Sequence, residues 1–155
     1  MNNEFKPSIV YTGMSRALGG NVGAIPKASR RNAFVALQWL DKQDGAVGIR
    51  YVEGHLVSRS LPFPIEHGWL WDELSERVID PTLVDRKGFN ADDHWYIPGV
   101  ELSLADIPSE VAKAITKKNH AYVYGFGFGG NRHEGYMNAL KKGMEIMLAI
   151  QTGAV

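Results

Sequence analysis

The sequence predicts an α+β domain, in which an early helix packs on a small antiparallel sheet and two helices lie toward the C-terminus. Two stretches repeat apolar residues at spacings of three and four, the period of a helix buried on one face. Between them, short segments rich in β-branched and aromatic residues end at proline or glycine, which is typical of strands. The order of these elements favours layers packed around one core.

The first predicted helix is the segment SRRNAFVALQWLDK, which begins at Ser29. Ala33, Leu37 and Leu40 form its apolar face, Ser29 is a candidate N-cap, and Asp44-Gly45 ends the helix. The chain before it is rich in glycine, asparagine and proline. That composition predicts an irregular segment with a short strand at Ser8–Thr12.

The middle of the chain predicts three short strands, at Val47–Val57, Ile65–Trp71 and Arg77–Ile79. The acidic turn between the second and third strands predicts a hairpin. Residues 82–102 are expected to form a long irregular connection, anchored by Trp95 and Tyr96.

The last third of the chain predicts two helices with a strand between them, at Asp106–Lys118, Ala121–Phe128 and Arg132–Gln151. The apolar face of the last helix is expected to consist of Tyr136, Leu140, Met144, Met147 and Leu148. Its methionines suit a core or a dimer surface, so a homodimer stays open.

Length and composition favour one ordinary domain. A chain of 155 residues that is 45% hydrophobic and 22% charged can bury a core and is not disordered throughout. We expect a single domain over residues 1–155. It comprises an irregular segment at 1–28, the segment that carries the site at 29–83, and the C-terminal helices and strand at 84–155.

Charge and cysteine content exclude several classes of protein. Seventeen basic residues balance 17 acidic ones, which argues against general nucleic-acid binding. No apolar run approaches the roughly 20 residues of a membrane helix, and MNNEFKPSIVYTG is unlike a signal peptide, so we expect a cytoplasmic protein. The chain has no cysteine, which excludes disulfides, zinc-thiolate sites, iron–sulfur clusters and a thiol nucleophile.

Two side chains of the predicted hairpin can carry acid–base chemistry. His67 lies within the second strand and Asp80 follows the third, so both can lie on one face within hydrogen-bonding distance. A carboxylate at that place would fix the imidazole tautomer and stabilise its charged form. The alternative is a histidine that fills a sheet face and an aspartate that caps the Asp-Pro turn.

Ser29 adds a third element, because backbone N–H groups at a helix start favour a developing negative charge. Ser29, His67 and Asp80 together can act as nucleophile, base and orienting carboxylate in acyl transfer. By the alternation of a strand, Trp69 shares the face of His67 and either walls a substrate slot or belongs to the core. Glu66 points to the other face, and Glu53 is expected to be solvated or salt-bridged.

The run YVEGHLV…PIEHGWLWDE…RVIDPTL resembles small bacterial and phage proteins of the transglutaminase-like, or papain-like, cysteine-enzyme superfamily. The resemblance covers roughly residues 20–83 and implies a transglutaminase-like core. It also implies acyl transfer or amide and peptide hydrolysis on a protein or a small amide or ester, without a cofactor. Carried over residue by residue, it assigns the catalytic histidine and aspartate to His67 and Asp80, and it implies that Asn32 lies beside the site and binds substrate.

The resemblance puts Ser29 where such proteins have the nucleophilic cysteine, and Arg30 where they have an aromatic residue. Three explanations are compatible with this difference. Ser29 is an engineered Cys-to-Ser substitution, or the protein is a non-catalytic member that binds a ligand or partner, or Ser29 is a working nucleophile. The first two follow from the much weaker acidity of a hydroxyl than of a thiol.

Other motifs offer no competing site. The segment GFGFGGNRHEG lacks the lysine and the spacing of a phosphate-binding loop. His133-Glu134 has no second histidine at the spacing of a zinc motif, and the remaining histidines are scattered, so no metal is expected.

Overall fold

The computed structural model describes residues 6–83, 87–120 and 133–155. Within these residues the chain forms four α-helices and a four-stranded antiparallel sheet, so the predicted α+β class is confirmed. The elements are α1 (Thr12–Val22), α2 (Ser29–Lys42), β1 (Ile49–Ser58), β2 (Ile65–Asp72), β3 (Arg77–Ile79), β4 (His94–Leu102), α3 (Ser109–Lys118) and α4 (Glu134–Gln151). None of the helices in the described ranges is long and apolar enough to cross a membrane.

The strands lie in the order β3-β2-β1-β4. The predicted hairpin between β2 and β3 is confirmed. The pair farthest from its turn joins Leu70 of β2 to Ile79 of β3. Because β3 has only three residues, it does not pair with β2 at Gly68 and His67.

Helix α2 lies against one face of the sheet and has the predicted bounds. Gly68 permits the close approach, because a Cβ atom there would lie 2.8 Å from the Arg30 Cα. Ser29 is the first helical residue rather than the N-cap: Ala28 caps the helix and makes no side-chain cap hydrogen bond. The Arg31 N–H is instead satisfied by the Asn119 side chain at 3.0 Å, at the end of α3.

The N-terminal segment differs from the expectation of irregular chain, because α1 forms there. Its glycines disfavour a helix locally, but Leu18 is buried in the core that α1 shares with α2, and packing outweighs propensity. The helix ends at Gly23 in the left-handed conformation, with φ of 60°. The short strand expected at Ser8–Thr12 is a single parallel bridge between Val10 and Val78.

Strand β4 lies where residues 82–102 were expected to form an irregular connection. Pro98 and Gly99 read as a break in the sequence, but a bulge opposite Glu53 and Gly54 accommodates them. Trp95 and Tyr96 are buried, as expected for anchors, although they belong to a strand.

The last two helices begin slightly later than predicted, at Ser109 and Glu134. On α4, Met144 and Leu148 are 52% and 61% exposed, so the predicted apolar face is wrong at these two positions. The buried face instead consists of Tyr136, Ala139, Gly143, Ile146, Met147 and Ala149. A Cβ atom on Gly143 would lie 3.1 Å from Pro64, just before β2. The strand predicted at Ala121–Phe128 lies outside the described residues.

The alternation along β1 divides its side chains between two faces of the sheet. Tyr51 belongs to the core beneath α2, and Val57 packs with α4. The opposite face carries a smaller cluster consisting of Val52, Leu56, Trp69, Val78 and Tyr96. By the pairing of β1 with β2, His67 lies on this second face.

Candidate functional site

The structure brings His67 and Asp80 together. Their Nε2 and Oδ2 atoms are 2.7 Å apart, and both residues are buried, with 4% and 0% of their surface exposed. The contact joins β2 to the residue that follows β3, which is the geometry expected of the hairpin.

Asp80 is held by more than its histidine. Tyr96 donates its hydroxyl to Oδ2 at 2.7 Å, and the N–H groups of Thr82 and Leu83 donate to Oδ1. Asp80 therefore pairs with the imidazole and caps the turn at the same time, so the two alternatives for this residue coexist.

The environment of Asp80 keeps it ionised. Burial alone would raise its pKa, but the charge of His67 and the hydrogen bonds from His67, Tyr96 and Thr82 outweigh burial and lower the pKa. Burial and the adjacent carboxylate raise the pKa of Tyr96 well above 10.0, so this phenol stays a donor. An ionised carboxylate only accepts hydrogen bonds, so Nε2 of His67 carries the hydrogen and Nδ1 has the lone pair in the neutral ring.

Ser29 lies beside this pair but is not bonded to it. Its Oγ accepts the N–H of Gly68 at 3.1 Å, and Gly68 directly follows His67 in the chain. Covalent geometry then places Oγ within about 6 Å of the His67 Cα. Among the described residues no hydrogen bond joins Ser29 to His67, and none uses Nδ1 of His67.

The backbone around Ser29 offers two N–H groups. The Arg31 and Asn32 N–H groups are donated to Asn119 and Ala28, respectively. The N–H groups of Ser29 and Arg30 have no acceptor in the described part of the chain. Donors of this kind at a helix start can stabilise an oxyanion.

Asn32, expected to bind substrate, holds the chain around the site instead. Its Nδ2 donates to the Ile25 carbonyl and to Thr82 Oγ1, at 2.8 and 2.9 Å. Its Oδ1 accepts the Ile25 N–H and an Arg31 N–H. Both amide hydrogens and the carbonyl are used and the residue is fully buried, so Asn32 has no donor left for a substrate.

We expect Asn32→Ala to lower the free energy of unfolding by about 1–3 kcal/mol, because it removes a fully buried side chain that bonds both Ile25 backbone groups and the Thr82 hydroxyl. Urea denaturation of the variant and the parent protein would measure the loss. Gln38→Ala, on the same helix and half-buried, is the control and should cost less than about 1 kcal/mol. An equal effect of the two substitutions would contradict the conclusion that Asn32 holds the segments at Ile25 and Thr82 together.

Aromatic rings surround His67 on its face of the sheet. The Trp69 ring stacks with the imidazole at a centroid distance of 6.2 Å, and Tyr96 lies 6.0 Å away. Sequence reasoning anticipated Trp69 on this face but missed Tyr96 as a partner of Asp80. The signal that could have found Tyr96 is the alternation of HWYIPGVEL, which the Pro-Gly pair obscured.

Beneath the other face lies a buried polar group centred on Glu53. The Tyr51 hydroxyl donates to Glu53 at 2.6 Å, and Glu53 is fully buried rather than solvated. Burial and the Glu53 carboxylate raise the pKa of Tyr51 well above 10.0. Burial lowers the pKa of Arg30, but the neighbouring acidic and phenolic groups, with Glu53 the strongest of them, together outweigh burial and raise the pKa, so Arg30 stays charged. As expected, Glu66 is not a partner of His67, and it pairs with Arg30 at 2.9 Å.

Two cavities flank the His67–Asp80 pair. One, of about 370 Å³, is lined by Ala24–Lys27, which lead into Ser29, and by Pro81–Leu83, which follow Asp80. The other, of about 330 Å³, lies on the second face of the sheet and is walled by Trp69 and Tyr96. Each cavity is lined by neighbours of the pair rather than by His67 or Asp80 themselves, so a substrate has concave surface available near it.

The described residues contain no group of three or more histidine or acidic side chains arranged to hold a metal ion. Comparison with models of protein families, with curated proteins and with solved structures finds no match to this chain. Functional inference therefore depends on the site itself.

Proposed function

We propose that this protein carries out acyl transfer or hydrolysis at an amide or ester bond, with Ser29 at the nucleophile position, His67 as base and Asp80 as its orienting carboxylate. The observation that carries the proposal is the buried contact of 2.7 Å between His67 and Asp80, next to the Gly68 N–H that holds Ser29 Oγ. The transglutaminase-like resemblance in the same three residues supports the same chemistry.

In this mechanism Nδ1 of His67 takes the proton of the nucleophile, while Asp80 stabilises the imidazolium that forms. The nucleophile attacks the acyl carbon, and the negative charge on the carbonyl oxygen is met by the N–H groups of Ser29 and Arg30. His67 then returns the proton to the leaving amine or alcohol, and water or a second amine accepts the acyl group. Ser29 Oγ and His67 Nδ1 must come within hydrogen-bonding distance before attack, since the two residues are not hydrogen-bonded in the structure.

A second candidate is a non-catalytic protein that keeps the scaffold to bind a ligand or partner. The favouring observation is that Ser29 Oγ accepts a hydrogen bond from Gly68 and is not bonded to His67, as would suit a structural serine. The cytoplasmic location, the bacterial or phage origin and a homodimer stay predictions under either function.

The proposal is tested by Ser29→Cys, which introduces one thiol into a chain that has no cysteine. We expect the pH profile of iodoacetamide alkylation to give a thiol pKa of about 7 or lower, against about 8.5 for an ordinary cysteine. The helix start and the adjacent imidazolium both stabilise a thiolate. A pH profile is used because limited access to a buried thiol slows alkylation at every pH equally.

Two control variants make the result specific. Ser60→Cys places a thiol on an exposed residue and should titrate near the ordinary value. Adding His67→Ala to Ser29→Cys should return the pKa of the introduced thiol toward about 8.5. A thiol that titrates ordinarily in both backgrounds would favour the binding protein over the enzyme.

A further inference from the structure

The cavity of about 330 Å³ on the second face of the sheet follows directly from the strand register. Val52 of β1 pairs with Trp69 on one side and with Glu101 of β4 on the other, so the three side chains lie in one row. One row further, Trp71 pairs with Val78 of β3 and with Arg50 of β1. Arg50 forms an ion pair with Glu73 and does not line the cavity. The cavity therefore has an apolar and aromatic floor with a carboxylate at its edge.

Its charge is negative. Glu101 and Glu76 both line the cavity, both are exposed, and neither forms an ion pair with a described residue. None of the described lining residues is basic. Two carboxylates that face a common cavity repel each other unless a cation lies between them or in front of them.

The walls suit a cation as well. Trp69, Trp71 and Tyr96 all border the cavity, and the faces of such rings attract ammonium and guanidinium groups. The alkyl stem of a lysine or arginine side chain would cover the apolar floor while its charged end reaches the carboxylates. A volume of about 330 Å³ lies in the range of small-ligand pockets.

The cavity is also close to the candidate reactive residues. Tyr96 borders it and donates its hydroxyl to Asp80, and Trp69 borders it and stacks on His67 at 6.2 Å. A side chain bound there lies one aromatic ring away from the imidazole. It could therefore fix which acyl group of a peptide reaches Ser29.

We propose that this cavity binds the side chain of a lysine or arginine residue of a peptide substrate and thereby directs the reaction to peptides with a basic residue near the reacting bond. This inference rests on the proposed function for its role in catalysis, but binding of the side chain can be measured without turnover.

The test uses Nα-acetyl-arginine methylamide as the probe and its citrulline analogue, which has nearly the same shape without the charge. Indole N–H resonances in NMR spectra report the site, because Trp69 and Trp71 line the cavity whereas Trp39 and Trp95 lie in other clusters. We expect the arginine probe to shift the Trp69 and Trp71 signals saturably and the citrulline analogue to bind about tenfold more weakly.

Charge variants complete the test. Glu76→Gln with Glu101→Gln should weaken binding of the arginine probe about tenfold, and Glu145→Gln, on an exposed residue of α4, should leave it unchanged. Equal binding of the two probes, equal shifts at all four tryptophans or no saturable shift would overturn the proposal. If the arginine probe binds in this way but the thiol at position 29 titrates ordinarily, the cavity stands and the acyl-transfer function fails. If the thiol at position 29 has a lowered pKa but the arginine probe does not bind, the acyl-transfer function stands and the cavity proposal fails.

Discussion

Replacing Asp80 by asparagine should reduce the free energy of unfolding at neutral pH by about 3 kcal/mol or more. The buried carboxylate accepts hydrogen bonds from His67, Tyr96 and two backbone N–H groups, whereas an amide would turn an N–H₂ group toward some of these donors. If Ser29 is a working nucleophile, or once a thiol replaces it, acyl transfer should also fall on the order of a thousandfold, because the imidazole loses its orienting partner.

The effect of Asp80→Asn on the free energy of unfolding should also depend on pH. The folded-state pKa of Asp80 lies below its ordinary value of 3.8, so its contribution to stability is complete above that value. It is lost as the pH falls through the lowered pKa of the folded protein. The difference in stability between the parent protein and Asp80→Asn should therefore shrink below about pH 4.

Urea denaturation at neutral pH and at pH about 3 would measure this change. Asp106→Asn is the matched control, because Asp106 is an exposed aspartate whose contact to Ser103 is also exposed. It should alter stability by less than about 1 kcal/mol at either pH. A constant difference between the parent protein and Asp80→Asn at all pH values would contradict the ionised, hydrogen-bonded state of Asp80.

Gly54→Ala is expected to have the second large effect, a loss of about 3 kcal/mol or more in the free energy of unfolding. A Cβ atom at Gly54 would overlap the backbone carbonyl oxygen of Ile97 and lie 2.9 Å from the Trp69 ring. Neither neighbour is the end of a flexible side chain, so β4 or Trp69 must move. Thermal unfolding and near-UV circular dichroism, which reports the tryptophan environment, would measure both consequences.

Gly20→Ala is the control, and it should stabilise the protein where Gly54→Ala destabilises it. Gly20 lies inside α1, its φ is negative, and a Cβ atom there meets no atom within 4 Å. Alanine should raise stability by about 0.5–1 kcal/mol, because it restricts the unfolded chain and favours the helix. If both substitutions destabilised the protein equally, the close approach at Gly54 would not be the cause.

The elements that sequence reasoning predicted well are those encoded locally. The apolar period of α2 is complete within 14 residues, and the β2–β3 hairpin is joined by a short turn that determines its register. The register ends at the pair of Leu70 with Ile79, which brings the next residue, Asp80, near His67. The contact predicted between these two side chains is therefore observed, whereas their catalytic roles stay a prediction.

The elements that were missed depend on contacts between distant parts of the chain. Strand β4 tolerates Pro98 and Gly99 through its own bulge against β1, and α1 needs its packing against α2 to compensate for its glycines. The donation from Tyr96 to Asp80 and the clamp at Asn32 join residues 16 and 50 positions apart. No short-range period in a single sequence reports such contacts.

The hydrogen bond from Arg31 to Asn119 spans 88 positions and has a consequence for the order of folding. Helix α2 can form as soon as its own residues are free to fold, but its first turn stays incomplete until α3 has been synthesised and docked. The contact between His67 and Asp80 needs no residue of α3, whereas the helix start that carries Ser29 does. The two halves of the candidate site are therefore expected to form at different times.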